Sequence, residues 1–143
     1  MKTIFVNPKE VERKWYVIDA AGIPLGKVAE KAAVLLQGKH KPIFVRHQEI
    51  GDYVLIINAD KVDVTGNKRR DKMYHRHTGY PGGIRSENFA AAIKRNPVFP
   101  VEHAVRGMLP KNRIGRKQFT NMKVYAGTDH PHAAQKPEPI AFG

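Results

Sequence analysis

The side chains in this sequence best suited to chemistry are cations set among aromatic rings. Lys68, Arg69, Arg70, Lys72 and Arg76 form one cluster. Arg106, Lys111, Arg113, Arg116, Lys117 and Lys123 form a second, with no acid between Glu102 and Asp129. Arg offers phosphate a planar fork of donors, while Lys acts as a mobile point charge. Tyr74, His77 and Tyr80 interleave with the first cluster. Aromatic faces and guanidinium planes stack on unpaired bases. A charge run is usually a solvated face, but here the compensating acids are missing, so the pattern points to a polyanion partner.

Other constellations are weaker. Gly22-Ile-Pro-Leu-Gly26-Lys27 resembles a phosphate-binding loop between strand and helix. It has three residues between the glycines where the pattern needs four. Val28 stands where a Ser or Thr would hold magnesium, so a tight strand-to-helix turn is the better reading. His75-x-His77 would put two imidazoles on one strand face, as metal ligands do, but a third ligand is missing and Arg76 would repel a cation. His130-Pro-His132 lies in a proline-rich stretch and reads as solvated. Ser86, the only serine, reads as a helix cap rather than a nucleophile. Gly82-Gly83 suits either a close phosphate contact or a plain turn. No metal, cofactor or small-molecule substrate is expected.

Composition narrows the class further. The 143 residues are enough for one domain with a real core. Hydrophobic residues make up 41% and charged residues 27%, a globular mix. There is no cysteine, which excludes thiol nucleophiles and cysteine-based metal centres. The longest apolar runs, such as Tyr53–Ile57, have five residues, too few to span a membrane. The start, MKTIFVNPKE, has no apolar stretch long enough for a secretory signal, so a cytoplasmic protein is expected. The net charge is +12. Residues 64–128 carry 14 Lys and Arg against Asp71, Glu87 and Glu102, a net of +11. A field concentrated in this way attracts polyanions.

The elements that must position these cations read as follows. Residues 1–14 are expected to form an extended arm. Trp15–Ala20 reads as a strand, and Leu25, Val28, Ala29, Ala32, Leu35 and Leu36 make the apolar stripe of a helix stopped by Gly38. Asp52–Ala59 is a second strand, apolar through its centre as in a parallel sheet. Strand, helix, strand makes a right-handed βαβ unit. Lys61–Thr65 alternates, and Met73–Thr78 is expected to return beside it as a hairpin with the first cluster at its tip. Thr78–Gly83 is a loop. Ser86 is expected to cap a helix reaching about Arg95. A further helix starts at Pro100, with Val101, Ala104, Val105 and Met108 as its stripe. Ile114–Met122 reads as a basic helix and Lys123–Ala126 as the last strand. Pro131, Pro137 and Pro139 predict a tail over residues 128–143 without regular structure.

Together WYVIDA, the Leu25-Gly26 helix start, KMYHRHTGYPGG and VRGMLPKNRIGRKQF with KVYAG closely resemble the bacterial ribosomal protein family thirteen of the large subunit. The resemblance runs from about Trp15 to the PHAAQKP segment, with Val105–Gly127 its most specific stretch. It implies an α/β fold: a single three-layer α/β/α domain around a small, mostly parallel sheet, with a basic hairpin extension and an extended C-terminal tail. It implies binding to large-subunit ribosomal RNA, contacts with neighbouring ribosomal proteins, and a part in early subunit assembly in the cytoplasm. On that reading Arg69, Arg70, Arg76, Arg113 and Arg116 would set register on the RNA. Lys68, Lys72, Lys111 and Lys117 would add field strength, with Arg106, His77 and Tyr80 beside them. An RNA-processing enzyme using the Gly22–Lys27 loop and His75/His77, and a general nucleic-acid chaperone, are the alternatives.

Overall fold

The computed structural model describes residues 7–140. Along the chain, β1 (Trp15–Asp19) leads through a turn into α1 (Leu25–Gln37), and β2 (Tyr53–Ile57) follows. A single helical turn, α2 (Lys68–Asp71), precedes β3 (Met73–His77) and β4 (Ile84–Asn88). Then come α3 (Phe89–Arg95), α4 (Phe99–Met108), α5 (Arg113–Thr120), β5 (Met122–Val124) and β6 (Glu138–Ile140). The result is an α/β fold. A parallel four-stranded sheet has the order β5-β2-β1-β6, and β3 and β4 form a separate antiparallel hairpin.

The expected βαβ unit is present. Trp15 pairs with Tyr53 and Asp19 with Ile57, in parallel register. The stripe of α1 is buried as its spacing demands, and Gly38 ends the helix at a φ of 82°. Gly51 follows where the chain returns beneath α1. A Cβ there would lie 1.7 Å from the Leu36 carbonyl oxygen. The return is held by Asp52, whose carboxylate is 1% exposed and meets Lys41 Nζ at 2.9 Å and His40 Nε2 at 2.8 Å. It also accepts the Lys14 amide at 3.0 Å, which fixes the approach to β1.

Strand residues alternate between the two faces of the sheet. Ile18, Val54 and Ile56 face one core, shared with α1, Phe89, Val101, Val105 and Leu109. The opposite face carries an aromatic stack. The Trp15 and Tyr53 rings lie 4.5 Å apart, Arg13 sits 4.4 Å over Tyr53, and His132 lies 5.3 Å from Trp15.

Several expectations are corrected. The tail is extended but not without regular structure. Ala133–Gln135 forms a 3-10 turn, and β6 pairs with β1 at Tyr16, Val17 and Ile18. Pro139 is tolerated because β6 is an edge strand, where a missing donor can face outward. β3 does not return beside 61–65 but pairs with β4, so Thr78–Gly83 is the hairpin turn. The first basic cluster therefore forms α2 and the start of the hairpin, not a hairpin tip. Ser86 lies inside β4, and Asn88 caps α3, accepting the Ala91 amide at 2.8 Å. Met108 is 45% exposed and leaves the stripe of α4. Met122 opens β5 instead of closing α5. Of the expected N-terminal arm, residues 1–6 lie outside the described residues. Pro8–Glu10 is a 3-10 turn.

Candidate nucleic-acid interface

The cations are presented by short, local elements. α2 is one turn, too short to hide any side chain, and Lys68, Arg69, Arg70 and Lys72 are all exposed. Two of them rest on rings, Arg69 5.5 Å over Phe89 and Lys72 5.6 Å over Tyr74. The stems cover apolar surface while the charges stay in water. The Lys72 carbonyl accepts the Phe89 amide at 2.9 Å, which ties the cluster to α3.

The hairpin carries Arg76, His77 and Tyr80. Tyr80 is 76% exposed at the turn, a ring with no packing role. His77 Nδ1 accepts the Gly79 amide at 2.9 Å, so it shapes the turn as well as facing solvent. Gly79 and Gly82 take positive φ, and a Cβ on Gly83 would meet Thr78 Oγ1 at 2.0 Å. The glycines therefore serve the turn. His75 is bonded to Ser86 across the strands at 2.6 Å. Among the described residues no group of three His, Asp or Glu could hold a metal ion.

The second cluster surrounds α5. Asn112 caps the helix by accepting the Gly115 amide at 2.9 Å. Gly115 lies against the preceding loop so closely that a Cβ would stand 1.7 Å from the Pro110 carbonyl oxygen. That approach brings Arg106, Lys111 and Arg116 to the rim of one groove of about 400 Å³, with Leu109 and Phe119 in its wall. Arg106 stacks 4.5 Å over Phe119. Arg113 and Lys117 are exposed on the same helix. Between the clusters runs the outer face of α4. His103, Gly107 and Met108 share a further groove with Lys68 and Lys72.

Pairing shows what these charges are free to do. The ion pairs among the described residues are Arg13–Glu49, His40–Asp52, Lys41–Asp52 and Arg95–Glu87. None uses a candidate cation. Every sequence-predicted site residue is exposed except Tyr74, whose ring is buried against Phe99 and His103 and is not free to stack on a base. The arrangement can bind extended anions through charge and offers rings at Tyr80 and Phe119 beside it.

The Gly22–Lys27 loop is a turn, as read. Gly22 has a φ of 71°, and the Leu25 amide, which opens α1, is taken by the Asp63 carbonyl at 2.8 Å. His132 is corrected: it is packed in the aromatic stack, not solvated. Sequence reasoning missed Arg85, which faces Arg76 across the hairpin. It also missed Lys39 and Arg46, which line a groove beside α5 with Asn112 and Gln118. Arg85 was concealed by the Ser86 helix reading.

The sequence profile of the ribosomal protein L13 family matches residues 13–131. This chain belongs to that family. Large ribosomal subunit protein uL13 of Treponema denticola is 61% identical over 137 residues, 96% of either chain. The protein of the same name from Treponema pallidum (strain Nichols) is 57% identical over 141 residues, 99% of either chain. That from Symbiobacterium thermophilum is 55% identical over 139 residues, 97% of either chain. The L13 family match takes in β1, both cation clusters and the Arg13, Trp15 and Tyr53 part of the aromatic stack, and it stops short of His132 and β6. No helix among the described residues is long and apolar enough to cross a membrane.

Proposed function

We propose that this L13-family chain is a structural component of the large ribosomal subunit that binds large-subunit ribosomal RNA. Its role is structural rather than catalytic, and it acts in the cytoplasm beside neighbouring ribosomal proteins, from an early step of subunit assembly. The observation that carries the RNA contact is the pairing pattern. Three acids, Glu49, Asp52 and Glu87, engage Arg13, His40, Lys41 and Arg95, and among the described residues Lys68, Arg69, Arg70, Lys72, Arg76, Arg106, Lys111, Arg113, Arg116 and Lys117 are exposed without an ion pair. Leaving so many like charges unpaired on one rigid unit is unfavourable for the isolated protein and favourable once phosphates occupy the surface. Folded RNA has the converse problem of phosphates crowded together. Two cation clusters flanking α4 let one domain hold adjacent RNA segments. Counterion release drives such binding, and RNA shape rather than base identity supplies selectivity.

The test is a salt titration of the purified chain on large-subunit ribosomal RNA and on an unrelated structured RNA of equal length. The ribosomal RNA is expected to keep its advantage at physiological salt, with affinity falling about three to five decades from low to moderate salt if about six to ten phosphates are contacted. Coincident curves would favour a general nucleic-acid chaperone. The double variant Arg113→Glu, Arg116→Glu is expected to weaken binding while its circular-dichroism melt stays normal, because both side chains are exposed. Unchanged affinity would remove α5 from the interface.

A further inference from the structure

A groove of about 470 Å³ lies between the hairpin and helices α3 and α4. Strand alternation puts Tyr74, Arg76, Arg85 and Glu87 on one face of the hairpin. Tyr74 is opposite Glu87, and Arg76 is opposite Arg85. Arg95, Phe99 and His103 complete the wall.

Three features of this groove are unfinished in the protein alone. Arg76 and Arg85 are direct cross-strand partners, and like charges placed opposite each other repel. Neither has an ion pair among the described residues. The one carboxylate present is already neutralised. Glu87 takes the fork of Arg95, with Nη2 at 2.6 Å and Nε at 3.1 Å, and that bond holds its carboxyl below the usual carboxylate range. Lastly, Tyr74 is only 8% exposed, packed edge-on against Phe99 and His103, and its buried hydroxyl has no hydrogen-bond partner among the described residues.

We propose that this groove is a built phosphodiester site of the RNA-binding surface. One backbone phosphate sits between the guanidiniums of Arg76 and Arg85, uncovers the Tyr74 hydroxyl that is sealed from solvent in the free protein, and accepts its hydrogen bond. Two forks from opposite strands suit the several oxygens of a phosphate, and the tyrosine supplies a neutral third donor. The phosphate would remove the Arg76–Arg85 repulsion and satisfy the orphan hydroxyl in one step. Charge alone does not select this groove, since other cations are as exposed. The unpartnered buried donor does. The proposal rests on the RNA-binding reading above and adds Tyr74 and Arg85 to it.

The test compares binding of the full chain to large-subunit ribosomal RNA for wild type, Tyr74→Phe, Arg85→Lys and Lys94→Gln, each with a thermal melt. Lys94 is exposed on α3 and does not line the groove. Tyr74→Phe removes no charge and, in the free protein, no hydrogen bond. A purely structural tyrosine predicts an equal or higher melting temperature and wild-type affinity. The proposal predicts the same melt with affinity lowered about fivefold at an unchanged salt slope. Arg85→Lys keeps the charge but loses the fork, and a similar loss is expected, larger than that of Lys94→Gln. Wild-type affinity in either Tyr74→Phe or Arg85→Lys overturns the groove. A wild-type chain with no preference for ribosomal RNA overturns the functional reading beneath it, and shows this before any variant is compared.

Discussion

His132 is half-buried, with both ring nitrogens covered. Its ring stacks on Trp15, Nε2 meets the Tyr125 hydroxyl at 2.7 Å, and Nδ1 is buried without a partner. His130 lies alongside, with ring centroids 6.2 Å apart. Burial first, then His130 and Lys123, push its pKa below the ordinary 6.5. Below that value the unfolded chain accepts a proton that the folded chain resists. Stability therefore falls as pH drops through 6.5 and is flat above it, as far as this group is concerned. The melting temperature is expected to decline between about pH 7 and about pH 5, with a smaller decline in His132→Gln. Equal declines would show that His132 is not responsible. Trp15 is the sole tryptophan, so its emission reports the same event locally. None of this was legible in the sequence, where His130-Pro-His132 reads as a solvated loop. What buries His132 is Trp15, more than a hundred positions away. The exposure of Arg113 and Arg116 was legible, because a cation in a run without acids needs no partner to be placed at the surface.

At the scale of elements, α5 is positioned by two small residues. Asn112 caps it, and Gly115 lets its first turn lie on the Pro110 carbonyl. Gly115→Ala would set a methyl 1.7 Å from that oxygen, and the oxygen belongs to rigid backbone. The helix must shift, at a cost of about 1–3 kcal/mol. The shift also separates Lys111 from Arg116 across their groove. Urea unfolding should show the loss of stability, and RNA affinity should fall with it even though no charge has changed. An alanine variant with normal stability would mean that α5 rides free of the loop. α1 and α4 were legible because a 3.6-residue stripe bounded by Gly or Pro is a local signal, while α5 was read only as a basic helix and ends at Thr120 rather than Met122. The hairpin was half legible. Its strand at 73–77 was found, but its partner was misassigned because Ser86 and Asn88 are both good caps and only one of them precedes the helix. β6 was hidden by its proline, which excludes most strand positions but not an edge.

At the scale of the whole molecule, the parallel sheet and the cation surface are built from different kinds of contact. Glu138 in β6 pairs with Tyr16, 122 positions earlier. Met73 pairs with Asn88, 15 positions later, and the second cluster, apart from Lys123 in β5, spans one helix, one loop and the next helix. Closing a long loop costs more entropy before any contact rewards it, and non-local pairings slow folding. The surface proposed to meet RNA can therefore be ready while the sheet is still open. When the chain is diluted from urea, RNA binding is expected to recover ahead of native Trp15 emission, which waits for the tail to dock. Simultaneous recovery would mean the clusters need the finished sheet. The order matters because RNA that engages the early surface brings the rest of the chain into a confined volume. For a protein whose last strand must find a partner at the other end of the sequence, the ligand can then act as a template for completing the fold.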